Sequence, residues 1–339
     1  MRITKVEEYG KKGYSLYRIP GVVCTEKGTA LAYCEARHGT DWGVTDITLR
    51  RKEVCSESWS ERIMIADSKG RCVMNNPVAF VDGDTVRMIF CRNYRELYYT
   101  ESHDDGKTWE KARDITFVPE KLLDSYNWTV VAAGPGHGLV TSKGRLIATL
   151  WLASNKHDIN AHWPSVVTTV YSDDHGKTWE CGEIVRGIPD VFVNPSDSSL
   201  AELSDGSIMM NCRHATGNDM RAVFYSPDGL GCWSDVTFDP ALPDPACMGS
   251  LAQCDRGILF TNCSVPSSKG RVHTTVKLST DDGKSWSFLV EIAEKGGYSD
   301  VYYNKVTKEI CVFAESGRNN EGDTFSFDLD FTEFTFDEI

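Results

Sequence analysis

An eight-residue pattern, S-x-D-x-G-x-[TS]-W, occurs three times in this chain and constrains its fold more than any other feature. The copies are SHDDGKTW at 102–109, SDDHGKTW at 172–179 and STDDGKSW at 279–286, each following a run of β-branched and aromatic residues. The pattern reads as a hairpin turn. Its Asp and Ser/Thr side chains bond local backbone, its Gly supplies a positive φ, and its Trp covers the turn. Two degenerate copies fill the gaps. Residues 50–59 keep the register without the Asp and Gly, and residues 226–233 keep the ends with altered spacing. The tryptophans at 59, 109, 179, 233 and 286 stand 50, 70, 54 and 53 residues apart. A unit of four strands with turns needs about 40–50 residues. These spacings, with a last blade closed by the terminal strands, predict an all-β, six-bladed β-propeller. It would occupy residues 1–339 as a single domain, although length alone would suggest two. Strand-like runs at 30–34, 85–91, 166–171 and 208–212 agree, and no stretch sustains a 3.6-residue apolar period.

The charge balance narrows the partners. A formal net charge of −13 argues against nucleic acid, whose phosphates need a broad basic footprint, but leaves room for a local arginine cluster to hold a small anion. Residues 1–20 hold no signal-like apolar run and no later segment approaches the ~20 apolar residues of a membrane span, so no membrane partner is expected. Twelve cysteines are scattered singly without metal-ligand spacing, six of them (24, 34, 91, 212, 263 and 311) inside apolar runs. They read as small buried hydrophobes kept reduced in a cytoplasm, the alternative being an exported protein whose leader is absent from the sequence. No metal or other cofactor is expected, and the oligomeric state stays open.

Between the repeats lie segments able to carry chemistry. Tyr17-Arg18-Ile19-Pro20, Arg213 in IMMNCRH and Arg271 just before the third repeat supply three arginines; Arg37 and Asp41 share CEARHGTDWG; Tyr298-Ser299 opens a strand and Glu315 closes the next. With the repeats, which are Asp boxes, these motifs make the chain resemble the sialidase family over nearly all its length. The resemblance implies that Arg18, Arg213 and Arg271 grip a substrate carboxylate, with Arg37 a fourth arginine beside it. Guanidinium suits that task because its fork binds a carboxylate bidentately and stays charged. It implies further that Asp41 is the general acid/base, with Asp46 as rival, and that Glu315 orients Arg18. Tyr298 would be the nucleophile. A neutral phenol approaches an anomeric carbon that bears its own carboxylate without the repulsion a carboxylate nucleophile would meet. Counting back from Glu202-Leu203 places Asp197 where relatives carry the Glu that takes the tyrosine's proton, one methylene shorter; Glu202 itself reads as structural. Trp128 with the stretch 134–138 resembles a segment at the rim of such sites, and Tyr94, Trp151 and Trp163 are softer candidates for pocket walls. The implied activity is a retaining exo-sialidase acting on a sialylated glycan. Two alternatives are a sialic-acid-binding propeller with little turnover and a hydrolase of a related 2-keto sugar acid.

Overall fold

A computed structural model describes residues 1–317 and 326–339. Its strands form six blades. Blade 1 comprises Leu16–Cys24, Ala30–Arg37, Thr45–Lys52 and Ile63–Ala66. Blade 2 comprises Met74–Asp82, Thr85–Arg92, Glu96–Ser102 and Arg113–Asp114. Blade 3 is built on Val130–Ala133, Leu146–Ala153, Ser165–Ser172 and Glu180–Cys181, and blade 4 on Ser198–Glu202, Ile208–Cys212, Met220–Ser226 and Thr237–Pro243. Blade 5 takes Gly249–Cys254, Gly257–Cys263 and Val272–Ser279, then shares the long strand Ser287–Asn304 with blade 6. Blade 6 continues through Glu309–Ser316 and Asp328–Phe334 and is completed by the N-terminal strand Arg2–Glu7, antiparallel to Asp328–Phe334. Inner strands of successive blades touch, blade 3 meeting the first strand of blade 4 through Leu146–Ala153, and blade 6 returns to blade 1, so the array closes as a ring.

Alternation along each strand sends one set of side chains toward the preceding blade and the other toward the next. The apolar clusters accordingly lie between blades. Ile47, Leu49, Ala79 and Phe90 join blades 1 and 2; Phe80, Val131, Leu150 and Trp179 join blades 2 and 3; Phe313, Phe331, Val22 and Tyr17 join blades 6 and 1.

All three intact repeats occupy the turn between the third and fourth strands of a blade. In the first, Asp104 accepts bonds from Ser102 Oγ (2.9 Å), the Thr108 amide (2.8 Å) and Thr108 Oγ1 (2.6 Å), while Trp109 Nε1 reaches the Gly106 carbonyl at 3.2 Å. Asp174 and Asp281 repeat the pattern, but Trp286 Nε1 donates to Asp239 at 3.0 Å instead. The Gly does more than bend the chain. At Gly176 (φ 80°) a Cβ would lie 2.3 Å from Tyr99 Oη of the preceding blade, so the turn docks against its neighbour. Asp104→Ala and Asp174→Ala are each expected to lower stability by about 1 kcal/mol in urea unfolding, through lost turn bonds; turnover unchanged at equal folding checks that the boxes stand outside the site. These bonds hold Asp104 and Asp174 down to about 2, against the opposing effect of their slight burial. A carboxylate depressed in the folded state stabilises above its unfolded pKa, so this contribution is full above about pH 4 and lost as pH falls through about 2.

The third strand runs toward the boxes, which puts the second-to-third connections and the starts of the first strands at the opposite end of the ring. Every residue of the candidate site comes from that end.

Candidate active site

A cavity of about 600 Å³ opens there, lined by Arg18, Arg37, Asp41, Asp197, Arg213, Arg271 and Tyr298 among others. Glu315 lies directly beneath. Seven of the eight residues singled out in the sequence thus face one cavity, and the eighth supports it.

Strand chemistry explains the placement. Arg18 stands near the start of blade 1's first strand, where pairing with the second strand breaks between Arg18 and Gly21. In that bulge Ile19 adopts φ 57°, a conformation that β-branched residues avoid and that persists only when its surroundings impose it. Glu315 does so. Its carboxylate accepts from Arg18 Nε (2.9 Å) and Nη2 (3.4 Å), from the Ile19 amide (3.3 Å) and from the Tyr298 amide (3.0 Å). Gly297 is required beside it, since a Cβ there would lie 2.1 Å from Glu315 Oε2. One buried carboxylate therefore fixes both the first arginine and the backbone of Tyr298.

The phenol of Tyr298 donates to Asp197 Oδ2 in a short contact, and Arg213 Nη1 donates to both, at 2.6 Å to Asp197 and 2.7 Å to Tyr298. Burial pushes the phenol above its ordinary range, and the opposing pull of Arg213 does not cancel it. A tyrosine in this setting ionises only if a partner accepts its proton, and Asp197 is in contact to do so. Asp197 precedes blade 4's first strand, Arg213 follows its second, and Arg271 precedes the third strand of blade 5. The guanidiniums of Arg18 and Arg271 each lie 5.3 Å from the Tyr298 ring centre. Arg271 Nη1 is buried without a hydrogen-bond partner.

Asp41 sits on the loop between blade 1's second and third strands. Its Oδ1 accepts from Arg18 Nη1 at 2.7 Å and from Arg37 Nη1 in a short contact. Burial would raise its carboxyl, but Arg18 and Arg37 outweigh that and hold it below the usual carboxylate range. Arg37 is anchored from behind by Glu35, at 2.9 Å from Nε and 2.6 Å from Nη2. The rival Asp46 stands outside the cavity, accepting from Tyr14 Oη and the Ser68 amide at 2.7 Å each. Glu202 binds the Ser142 amide and hydroxyl at 2.6 Å and joins blades 3 and 4.

The softer candidates divide. Tyr94, Trp151 and Trp163 line the cavity. Trp128 does not: it packs between blades 2 and 3, with Nε1 donating to the Pro119 carbonyl at 3.0 Å. His137, from the adjoining 134–138 stretch, pairs with buried Asp300 at 2.9 Å and faces a second cavity lined by Tyr302 and Glu202. That stretch belongs to the inter-blade packing, where its glycines admit neighbouring side chains, and forms no part of the rim. Sequence reasoning overlooked Glu35, Trp42, Asn76 and His162. Trp42 could have been noticed beside Asp41; the other three carry no repeat or spacing signal. His162 lies 4.8–5.1 Å, ring centre to ring centre, from Trp42, Tyr94 and Trp151, and burial lowers its pKa, favouring the neutral ring. Among the described residues, the group able to offer metal-ligand atoms within 4.8 Å of one another is Glu101, His103 and Glu110, at the first Asp box and away from the cavity.

Comparison with known proteins places this geometry in a family. The model of the BNR repeat-like domain matches residues 28–310. The chain is 26% identical to a sialidase of Bacteroides fragilis, an alignment covering 87% of this chain and 59% of that protein. It is 28% identical to a sialidase of Micromonospora viridifaciens, covering 82% and 46% respectively. The chain thus spans about half to three-fifths of the length of these two relatives. The fold superposes on Hadza microbial sialidase Hz136 with a TM-score of 0.82 at 22% identity, covering 99% of this chain and 69% of that one. It superposes on Trypanosoma rangeli sialidase in complex with sialic acid at 0.75 and 18% identity, covering 98% and 58%. With the repeat model matched across most of its length and sialidases as its relatives in sequence and fold, this chain belongs to the sialidase family of BNR-repeat β-propellers.

Proposed function

We propose that the chain is a retaining exo-sialidase, removing terminal sialic acids from glycans through a covalent bond to Tyr298. The observation that carries this reading is the direct contact of the Tyr298 phenol with the Asp197 carboxylate, at the foot of an arginine cluster suited to a carboxylate. Arg18, Arg213 and Arg271 hold the sugar's carboxylate and so set the anomeric carbon over the phenol oxygen. That oxygen attacks the carbon as Asp197 takes the phenol proton. The bond to the aglycone oxygen breaks, and Asp41 protonates the departing oxygen. Water then attacks the same carbon while Asp41 receives its proton. Tyr298 leaves and recovers its proton from Asp197, so two inversions give net retention.

Asp197 meets the phenol although it is shorter than the residue relatives use, and this favours turnover over a purely binding role. The test is trapping. Incubation with 2,3-difluorosialic acid, the ligand of a covalent-intermediate complex of Trypanosoma rangeli sialidase, should add one fluorosugar mass to the peptide containing Tyr298. Cleavage of a fluorogenic sialoside with label on another residue would overturn the nucleophile assignment, and absence of cleavage would overturn the activity.

Arg271 offers a separate check. Its Nη1 has no internal partner to lose, so Arg271→Ala should raise KM roughly tenfold or more, for a lost charge-assisted bond worth ~1.5–3 kcal/mol, while unfolding stability holds or rises. A marked loss of stability at normal KM would assign Arg271 to the scaffold.

A further inference from the structure

The carboxylate-binding arginines already hold a carboxylate of the protein's own. Asp41 Oδ1 takes Arg18 Nη1 at 2.7 Å and also contacts Arg37 Nη1, with Arg271 among the charges acting on it. Arg18 Nε and Nη2 bond Glu315, and Arg37 Nε and Nη2 bond Glu35, carboxylates that stand behind the cavity wall. The groups that face the cavity are therefore the ones Asp41 engages. The loop bearing Asp41 is a tight turn, closed by His38 N–H to the Val44 carbonyl at 2.8 Å and Gly43 N–H to the Thr40 carbonyl at 2.9 Å. At its tip the Trp42 ring packs 5.1 Å from His162 and 6.1 Å from Tyr94, so the loop rests on blades 2 and 3 beside the site. Asp41 itself is only partly covered, its side chain 18% exposed, whereas Arg18 and Arg37 are fixed and buried.

We propose that Asp41 is an internal latch on the carboxylate site, which an incoming substrate carboxylate displaces from Arg18, and that this exchange delivers Asp41 to its work as acid. The inference rests on the sialidase reading of the same site. Two carboxylates cannot share the inward Nη1 of Arg18 without strong like-charge repulsion, so binding of one requires release of the other. Release also removes Asp41 from the cation that keeps it ionised and leaves it near a second anion. Its affinity for a proton therefore rises when a proton must be given to the departing oxygen. A substrate without the carboxylate would leave the latch shut, making the exchange a selectivity step as well as an activation step.

The experiment is calorimetric titration of wild type, Asp41→Ala and Asp41→Asn with the sialidase inhibitor DANA, and in parallel with its methyl ester. The latch predicts that DANA binds Asp41→Ala about tenfold more tightly than wild type, with Asp41→Asn changed in the same direction, because neither has to expel a carboxylate. The methyl ester should show no such gain. DANA affinity that is equal or weaker in both variants would overturn the latch while leaving the sialidase reading intact. An equal gain for the ester would also overturn it, since only steric relief would then be at work. If neither wild type nor variants bind DANA, the sialidase reading itself fails, and the latch with it. Should Asp41→Ala not fold, Asp41→Asn carries the same comparison.

Discussion

Tyr298→Phe is expected to lower kcat by roughly 10³-fold or more while leaving the affinity for an unreactive sialic acid analogue within a few-fold of wild type. Only one oxygen is removed, and it is the atom proposed to join the anomeric carbon. The ring keeps its place: Arg18 and Arg271 still lie against its faces, and the backbone amide still bonds Glu315. Loss of the phenol also leaves Asp197 with Arg213 as its remaining partner at 2.6 Å, so the base stays satisfied and the fold should hold. Single-turnover kinetics and unfolding curves measured together separate the cases. A variant with near-normal turnover would remove Tyr298 from the chemistry, and one that fails to bind the analogue would show the hydroxyl to be a binding group.

Glu315→Ala is expected to cost about 3–5 kcal/mol in unfolding free energy and to abolish turnover, a larger stability loss than any Asp-box substitution. The carboxylate is wholly buried and meets four donors, two on Arg18 and the amides of Ile19 and Tyr298. Its removal takes both carboxylate oxygens from Arg18, whose Nη1 still bonds Asp41 on the cavity side, and frees the bulge that keeps Ile19 at positive φ. Glu315→Gln, which keeps the shape and an acceptor, should recover part of the stability and little of the activity. Urea unfolding decides the matter: a loss below about 1 kcal/mol for Glu315→Ala would mean that the bulge is held by the sheet alone.

The fold was legible because its determinant is local. A box fixes its own turn through bonds spanning two to four residues, so spacing alone placed three turns and counted the blades. Less legible was the strand Ser287–Asn304, which serves two blades without a break. Its two halves are separated by pairing partners, and the exchange falls at Gly296-Gly297, a pair that reads as a break between two strands and not as the middle of one. In the site, Arg18, Arg213, Arg271 and Tyr298 could be picked out by motif, and Asp197 by counting along a strand. Glu35 and His162 could not. Glu35 sits in an apolar strand two residues from the arginine it holds, and His162 reaches Trp151 only because of how a long loop folds back. Asp41 could be singled out as a candidate by its motif, but its seat among the arginines depends on the reach of one loop across the ring's end.

The completion of blade 6 by Arg2–Glu7 carries a consequence for how this protein is made and handled. Among the described residues the strand Arg2–Glu7 pairs with Asp328–Phe334, so that pairing closes a loop running through all six blades, and its closure entropy is met last. A nascent chain on the ribosome must keep residues 2–7 waiting, unpaired, until Asp328–Phe334 has emerged. A polypeptide trimmed of its first seven residues would expose the Asp328–Phe334 edge to pairing between molecules. A rearranged propeller that joins residue 339 to residue 1 and opens the chain between two blades would shift that seam to a new place, turning a question of sequence order into one of which blade is sewn shut last.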